Sequence, residues 1–292
     1  MGTTAEKIAR NVTAQTKAPV IDLAGHRQMK ELLRDAKLDA GGFERRIAEG
    51  EDPCFAVYMH AQALISIAAE QLSATKEARQ FARLAAEAED IYMPSYPPMS
   101  PVTTSHFTMW ALFDLQFGQS HETIGTCFLR IAELTDLPTS LRATASALQS
   151  SRLGLYVYCG HDGRFVRLRE IGQERIVQCV VPAGYRGAAG EIWLARLLPP
   201  ASALFDYHVV STTPYVIIGG SESDWLAYLD RERRRLVSRP LPCKIDPTTY
   251  IMKHGPSANH WNEYIHCAYA DYRTEAVFLT GIPDDKGSLP HA

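Results

Sequence analysis

The chain changes texture once, near residue 152. Before that point apolar residues recur at helical spacing. After it they fall into short runs bounded by turn residues. Leu153 to Cys159 (LGLYVYC), Arg164 to Glu170 (RFVRLRE), 175–181, 191–198, 207–211 and 214–218 read as six short strands in roughly 65 residues. No helical pattern separates them, so neighbours pair antiparallel as a meander. Such a set buries its apolar faces by curling into a small barrel or strongly curled sheet. His161-Asp162-Gly163 supplies the first hairpin turn.

The sequence ahead of this module is helical. Residues 1–22 are Thr- and Ala-rich with weak patterning and read as a mobile arm. His26 to Leu38 places Met29, Leu32, Leu33 and Ala36 on one stripe. Residues 54–75 are apolar nearly all round, the pattern of a helix at the centre of a bundle. The next helix, 76–92, turns Phe81, Leu84, Ala85 and Ala88 inward. Further helices are expected over 106–117, from Ser120 with Glu122 favouring the helix dipole, and from Pro138 to Ser151. Between them, Pro94, Pro97, Pro98 and Pro101 make residues 93–105 a stiff loop. It covers a pocket, docks a partner or packs on the bundle. After residue 220, helices are expected over Ser221 to Leu236, from Asp246-Pro247 to Gly255, and from Ser257 to Tyr272. Glu275 to Thr280 then adds a strand at the barrel edge. The expected fold class is α+β: an arm (1–22), a helical bundle (23–151), a small antiparallel β-barrel (152–220), and C-terminal helices with a final strand packing on the barrel (221–292).

The 292 residues carry a net charge of −3 with 46% hydrophobic residues, which argues against disorder, collagen or a polybasic chain. Six cysteines form no CxxC and no zinc-finger spacing, and read as free thiols of a reduced compartment. No apolar run is long enough to span a membrane, and the first residues form no secretory signal, so a cytoplasmic location is expected.

No Walker A loop, GxSxG elbow, HExxH or GxGxxG after a strand is present. Gly184, Gly187 and Gly190 follow a strand but precede another strand, so a turn is expected there and not a phosphate cradle. The last helix holds His260, Glu263, His266 and Asp271, with Glu263 to His266 matching a Glu-x-x-His element. Residues 260, 263 and 266 step 300° each and drift round the helix. Trp261, Tyr264, Ile265, Ala268 and Tyr272 packing inward accounts for the same segment.

The positive signal lies on the β module. Of the 16 basic residues after residue 150, 13 are arginines, whose planar fork matches phosphate and carboxylate. Arg164, Arg167, Arg169 and Arg175 flank one hairpin, with Tyr156 and Tyr158 as candidate stacking rings. Small barrels with basic and aromatic faces bind single-stranded nucleic acid by stacking and phosphate neutralisation. A solvated strand face, with Glu170 and Glu174 pairing some arginines, explains the same residues. The sequence therefore reads as a non-catalytic binding or adaptor protein with no cofactor. Its arginine-bearing β module contacts single-stranded nucleic acid or an acidic protein surface. The alternative is a metal-assisted hydrolase using His260, Glu263, His266 and Asp271, with its site between the bundle and the C-terminal helices.

Overall fold

The computed structural model describes residues 3–8, 10, 34, 42–43, 45–73, 75–134, 137–201, 205–237 and 245–283. The fold is α+β, with helices, a closed five-stranded barrel and extra strands. It divides into two compact units, each discontinuous in sequence: residues 1–86, 109–150 and 200–206, and residues 87–108, 151–199 and 207–292. The helix expected over His26 to Leu38 lies outside the described residues except for Arg34, as does Cys243. Among the described residues no helix is long and apolar enough to cross a membrane.

Helix α1 (Pro53–Ile67) begins where Asp52 accepts a 2.8 Å hydrogen bond from the Cys54 N–H, with proline in the first turn. It continues as a wider turn over Ala68–Leu72. Helix α2 (Arg79–Tyr92) buries Phe81 and Ala88 as its pattern predicts. Helices α3 (Thr104–Phe113), α4 (Ile124–Leu134) and α5 (Thr139–Ser150) follow, and α5 packs on α1 and α4. His60 is buried in α1 and stacks on Phe43 at 4.8 Å, a core histidine.

Helix α4 starts later than the sequence predicts. Thr123 and Thr126 exchange side-chain and backbone hydrogen bonds at 2.9 and 3.2 Å, a reciprocal cap that outcompetes Ser120. Glu122 is freed for a different task. Its buried carboxylate accepts the N–H groups of Thr4 and Ala5 at 2.6 and 2.9 Å. Residues 3–8, assigned above to an arm, carry a helical turn with Ile8 buried.

In the second unit β1 (Arg152–Asp162), β2 (Phe165–Glu170) and β3 (Ile176–Val180) form an antiparallel meander. β4 (Ile192–Leu198) returns to pair with the first half of β1, and β5 (His208–Val210) lies between β4 and β3, parallel to β3. The sheet thus closes as β1-β2-β3-β5-β4-β1, and the parallel β3–β5 pair corrects the expected all-antiparallel meander, which holds only through β3. The long β1 pairs with β4 over residues 152–157 and with β2 over residues 156–162, and it is bulged in the second stretch. Between the pairs Tyr158–Leu168 and His161–Val166 it carries one extra residue, with Gly160 at φ +106°. Such a bulge bends and twists the strand, which closure requires.

Alternation sends Tyr156, Tyr158, Val166, Leu168, Val177, Cys179, Trp193, Ala195 and Leu197 into the barrel core. From β4 the sheet extends outward through β6 (Tyr215–Ile218), β8 (Val277–Thr280) and β7 (Ala270–Tyr272), with β8 parallel to β6. The expected edge strand is therefore present, on β6. Helices α6 (Glu222–Val237) and α7 (Pro247–His254) pack on each other, and α7 packs on β1. The last helix, α8 (His260–Cys267), is shorter than predicted. Ala268 is extended and the chain turns into β7, which leaves Tyr272 exposed on a strand.

Candidate functional site

The expected arginine face resolves into three different environments. β2 and β3 pair Phe165 with Val180, Arg167 with Gln178 and Arg169 with Ile176, so these six side chains share the outer face. Arg167 and Gln178 are exposed, and Ile176 is 58% exposed. Among the described residues no carboxylate pairs with Arg167.

Arg164 sits at one end of this face, in the two-residue loop between Asp162 and Phe165. Its guanidinium lies 5.1 Å from the Phe165 ring centre and 5.3 Å from that of Tyr207, and it donates to the Tyr207 hydroxyl at 3.2 Å. The two rings are themselves 5.2 Å apart. Each cation–ring contact contributes about 0.5–1 kcal/mol at an exposed site. Tyr207 immediately precedes β5, so this stack ties the first hairpin to the entry of β5.

Arg169 occupies the other end and is engaged. Its two terminal nitrogens donate to the two carboxylate oxygens of Glu222, each at 2.8 Å, and one also reaches Glu174 at 3.2 Å. The guanidinium holds the Glu222 carboxyl below the usual carboxylate range, and its own pKa is pushed up. Glu174 pairing is thus as expected. Glu170 is different: it is buried beside Tyr156 in the register and pairs with Arg152 at 2.5 Å.

Arg175 falls opposite Glu170, whose N–H donates to its carbonyl at 2.9 Å. That is the other parity from Arg167. Its charge acts on Tyr156 and on His208, whose pKa is lowered by burial first and by Arg175 second. Tyr156 and Tyr158 are corrections to the expected set. They are 3% and 2% exposed, inside the barrel, and present no ring to a ligand. Tyr158 stacks on Trp193 at 5.1 Å. The first half of β1 is apolar on both faces, so its parity could not be read locally. Tyr207 was missed for a related reason, since 43 residues separate it from Arg164.

The glycine spacing at 184, 187 and 190 belongs to the loop that joins β3 to β4, from which Tyr185 packs against the barrel core. Glu191 accepts the Tyr185 hydroxyl at 3.1 Å and the Trp193 indole N–H at 3.2 Å. A Cβ on Gly187 would meet that carboxylate at 2.1 Å. Burial, then Glu191, pushes the Tyr185 hydroxyl up to about 12. The cluster anchors a loop.

The four candidate ligands of the hydrolase alternative are held on four separate partners. His260 meets the Tyr228 hydroxyl at 2.7 Å, Glu263 accepts from Tyr92 at 3.2 Å, His266 meets Ser100 at 3.3 Å, and Asp271 pairs with Arg273 at 3.3 Å. Among the described residues no three His, Cys, Asp or Glu side chains converge as a metal site. The contacts from Tyr92 and Ser100, with Thr103 donating its N–H to the Tyr215 hydroxyl at 3.0 Å, anchor both ends of the proline-rich loop, while Tyr96 and Met99 stay exposed. No protein-family model, curated protein or solved structure matches the chain.

Proposed function

We propose that this protein is a binding module without catalysis of its own, and that the outer face of β2 and β3 holds the backbone of single-stranded nucleic acid. The observation that carries the reading is Arg167. It is exposed in mid-face, has no carboxylate partner among the described residues, and stands opposite Gln178 and two residues along β2 from Phe165, a member of the Arg164–Phe165–Tyr207 stack. A cation beside aromatic and apolar surface is what a single strand needs, since phosphates take the charge and bases take the rings.

Barrel topology supports the same reading by analogy. Small five-stranded Greek-key barrels hold oligonucleotides on the face of strands 2 and 3 and on the loops joining strands 1–2 and 4–5. Arg164 stands in the first of these loops, and Tyr207 ends the second. Fold alone assigns no function, so the weight rests on the residues.

The test is titration of the protein with a labelled mixed-sequence pool of single-stranded RNA and DNA, at low and at physiological salt. The reading predicts micromolar or tighter binding at low salt that weakens steeply as salt rises. Absence of binding at low salt would overturn it, and stoichiometric binding to an acidic protein in its place would reassign the face.

A further inference from the structure

Resting on the nucleic-acid reading above, we infer that Glu222 is a built-in competitor for the same face. Its carboxylate fills the fork of Arg169, and an incoming phosphate must displace it. An arginine fork takes carboxylate or phosphate in the same planar, two-bond arrangement, so the two compete for the same pair of donors. Here both bonds are made at 2.8 Å, to the two oxygens of one carboxylate. Glu174 adds contacts at 3.2 and 3.4 Å to the same Arg169 nitrogen. Two carboxylates thus neutralise the one arginine that shares a strand and a face with Arg167.

Glu222 is free to leave. It opens α6, yet the start of that helix is held by its neighbours. The Ser221 N–H donates to Asp224 at 2.7 Å, and the Asp224 N–H returns to the Ser221 hydroxyl at 3.3 Å. This reciprocal cap satisfies the first turn whichever way the Glu222 side chain points. Bound phosphate and the Arg169–Glu222 pair are therefore alternatives on one guanidinium, and the helix survives either state. The resting face is consequently less basic than its sequence, with Arg167 open and Arg169 engaged until a polyanion competes.

Fluorescence anisotropy with labelled mixed-sequence single-stranded DNA tests this on the full chain. Glu222→Gln is expected to bind about two- to fivefold more tightly than wild type, the range set by a partly exposed ion pair. Glu174→Gln, at a side chain 78% exposed, is expected to shift binding the same way. On an Arg169→Gln background, Glu222→Gln should bring no gain over Arg169→Gln alone, whereas a general change in charge would still tighten binding there; this separates competition at the fork from net charge. Equal or weaker binding by both glutamine variants would overturn the competitor while leaving the binding reading intact, provided wild type binds and Arg167→Glu does not. Failure of every variant and of wild type to bind at low salt would overturn both.

Discussion

Tyr156 lies across Gly154, two residues back on the same face of β1. A Cβ on Gly154 would stand 2.2 Å from the phenol oxygen and 2.4 Å from the ring carbon bearing it. Both residues face the closed interior, so the ring has nowhere else to go. Gly154→Ala is expected to destabilise the fold by about 1–3 kcal/mol, the usual cost of overpacking. Paired with Tyr156→Ala, it should cost clearly less than the sum of the single changes, because the clash is the shared term. Denaturant melts of the four proteins measure this, and strict additivity would refute the contact.

Glu122 should hold the N-terminal turn in place. Removing its carboxylate leaves two amide donors, Thr4 and Ala5, without their acceptor in a partly buried setting. Glu122→Ala is expected to cost about 1–3 kcal/mol. Amide hydrogen exchange at Thr4 and Ala5 should accelerate well before exchange in α4. Unchanged exchange at both amides would contradict the assignment.

Thiol reactivity should sort by burial. Cys127 and Cys179 are fully buried, and desolvation pushes both thiols up to about 12. Cys159 and Cys267 are half-buried. Under native conditions an alkylating reagent followed by peptide mapping should mark Cys159 and Cys267 first. Cys127 and Cys179 should label only as the protein unfolds. Early labelling of Cys179 would mean that the barrel is not closed. The raised thiols also favour unfolding at alkaline pH, since the unfolded chain ionises from its ordinary value near 9 while the folded one resists until about 12.

The Arg169–Glu222 pair should leave a signature in acid. The guanidinium lowers the carboxyl's pKa in the folded state. Its contribution to stability is therefore complete above the ordinary carboxylate range and is lost as pH falls through the lowered value. Melting temperatures of wild type and Glu222→Gln should differ near neutrality and converge in acid. A difference that persists or grows on acidification would show that the pair does not behave as drawn.

How far the sequence could be read depended on how local the deciding contacts are. RFVRLRE alternates cleanly, and β2 turns Val166 and Leu168 inward with Arg167 and Arg169 outward, as alternation requires. β1 has no such contrast, and only closure against β4 puts Tyr156 and Tyr158 in the core. The last helix kept an apolar spacing through Ala268 and Tyr272, so its early end at Cys267 was invisible. Pairing of β7 with β8 is what extends that segment. Ser120 looked like a cap until Thr123 and Thr126 formed a better one three residues on. The candidate site was half legible. The arginines were visible as residues, but Arg169 meets Glu222 across 53 positions, and nothing local foretells which arginine stays open.

The most direct test compares two charge reversals in strand titrations at several salt concentrations. One is Arg167→Glu. The other is Arg130→Glu, at an exposed arginine of α4 that pairs with Glu133 at 2.9 Å and lies outside the proposed face. The account predicts that Arg167→Glu loses most of the affinity, and that Arg167→Ala lowers the salt slope by about 0.7, the equivalent of one phosphate contact on a single strand. Arg130→Glu should bind as wild type does. Equal losses from the two reversals, or none from either, would contradict the assignment of the β2–β3 face.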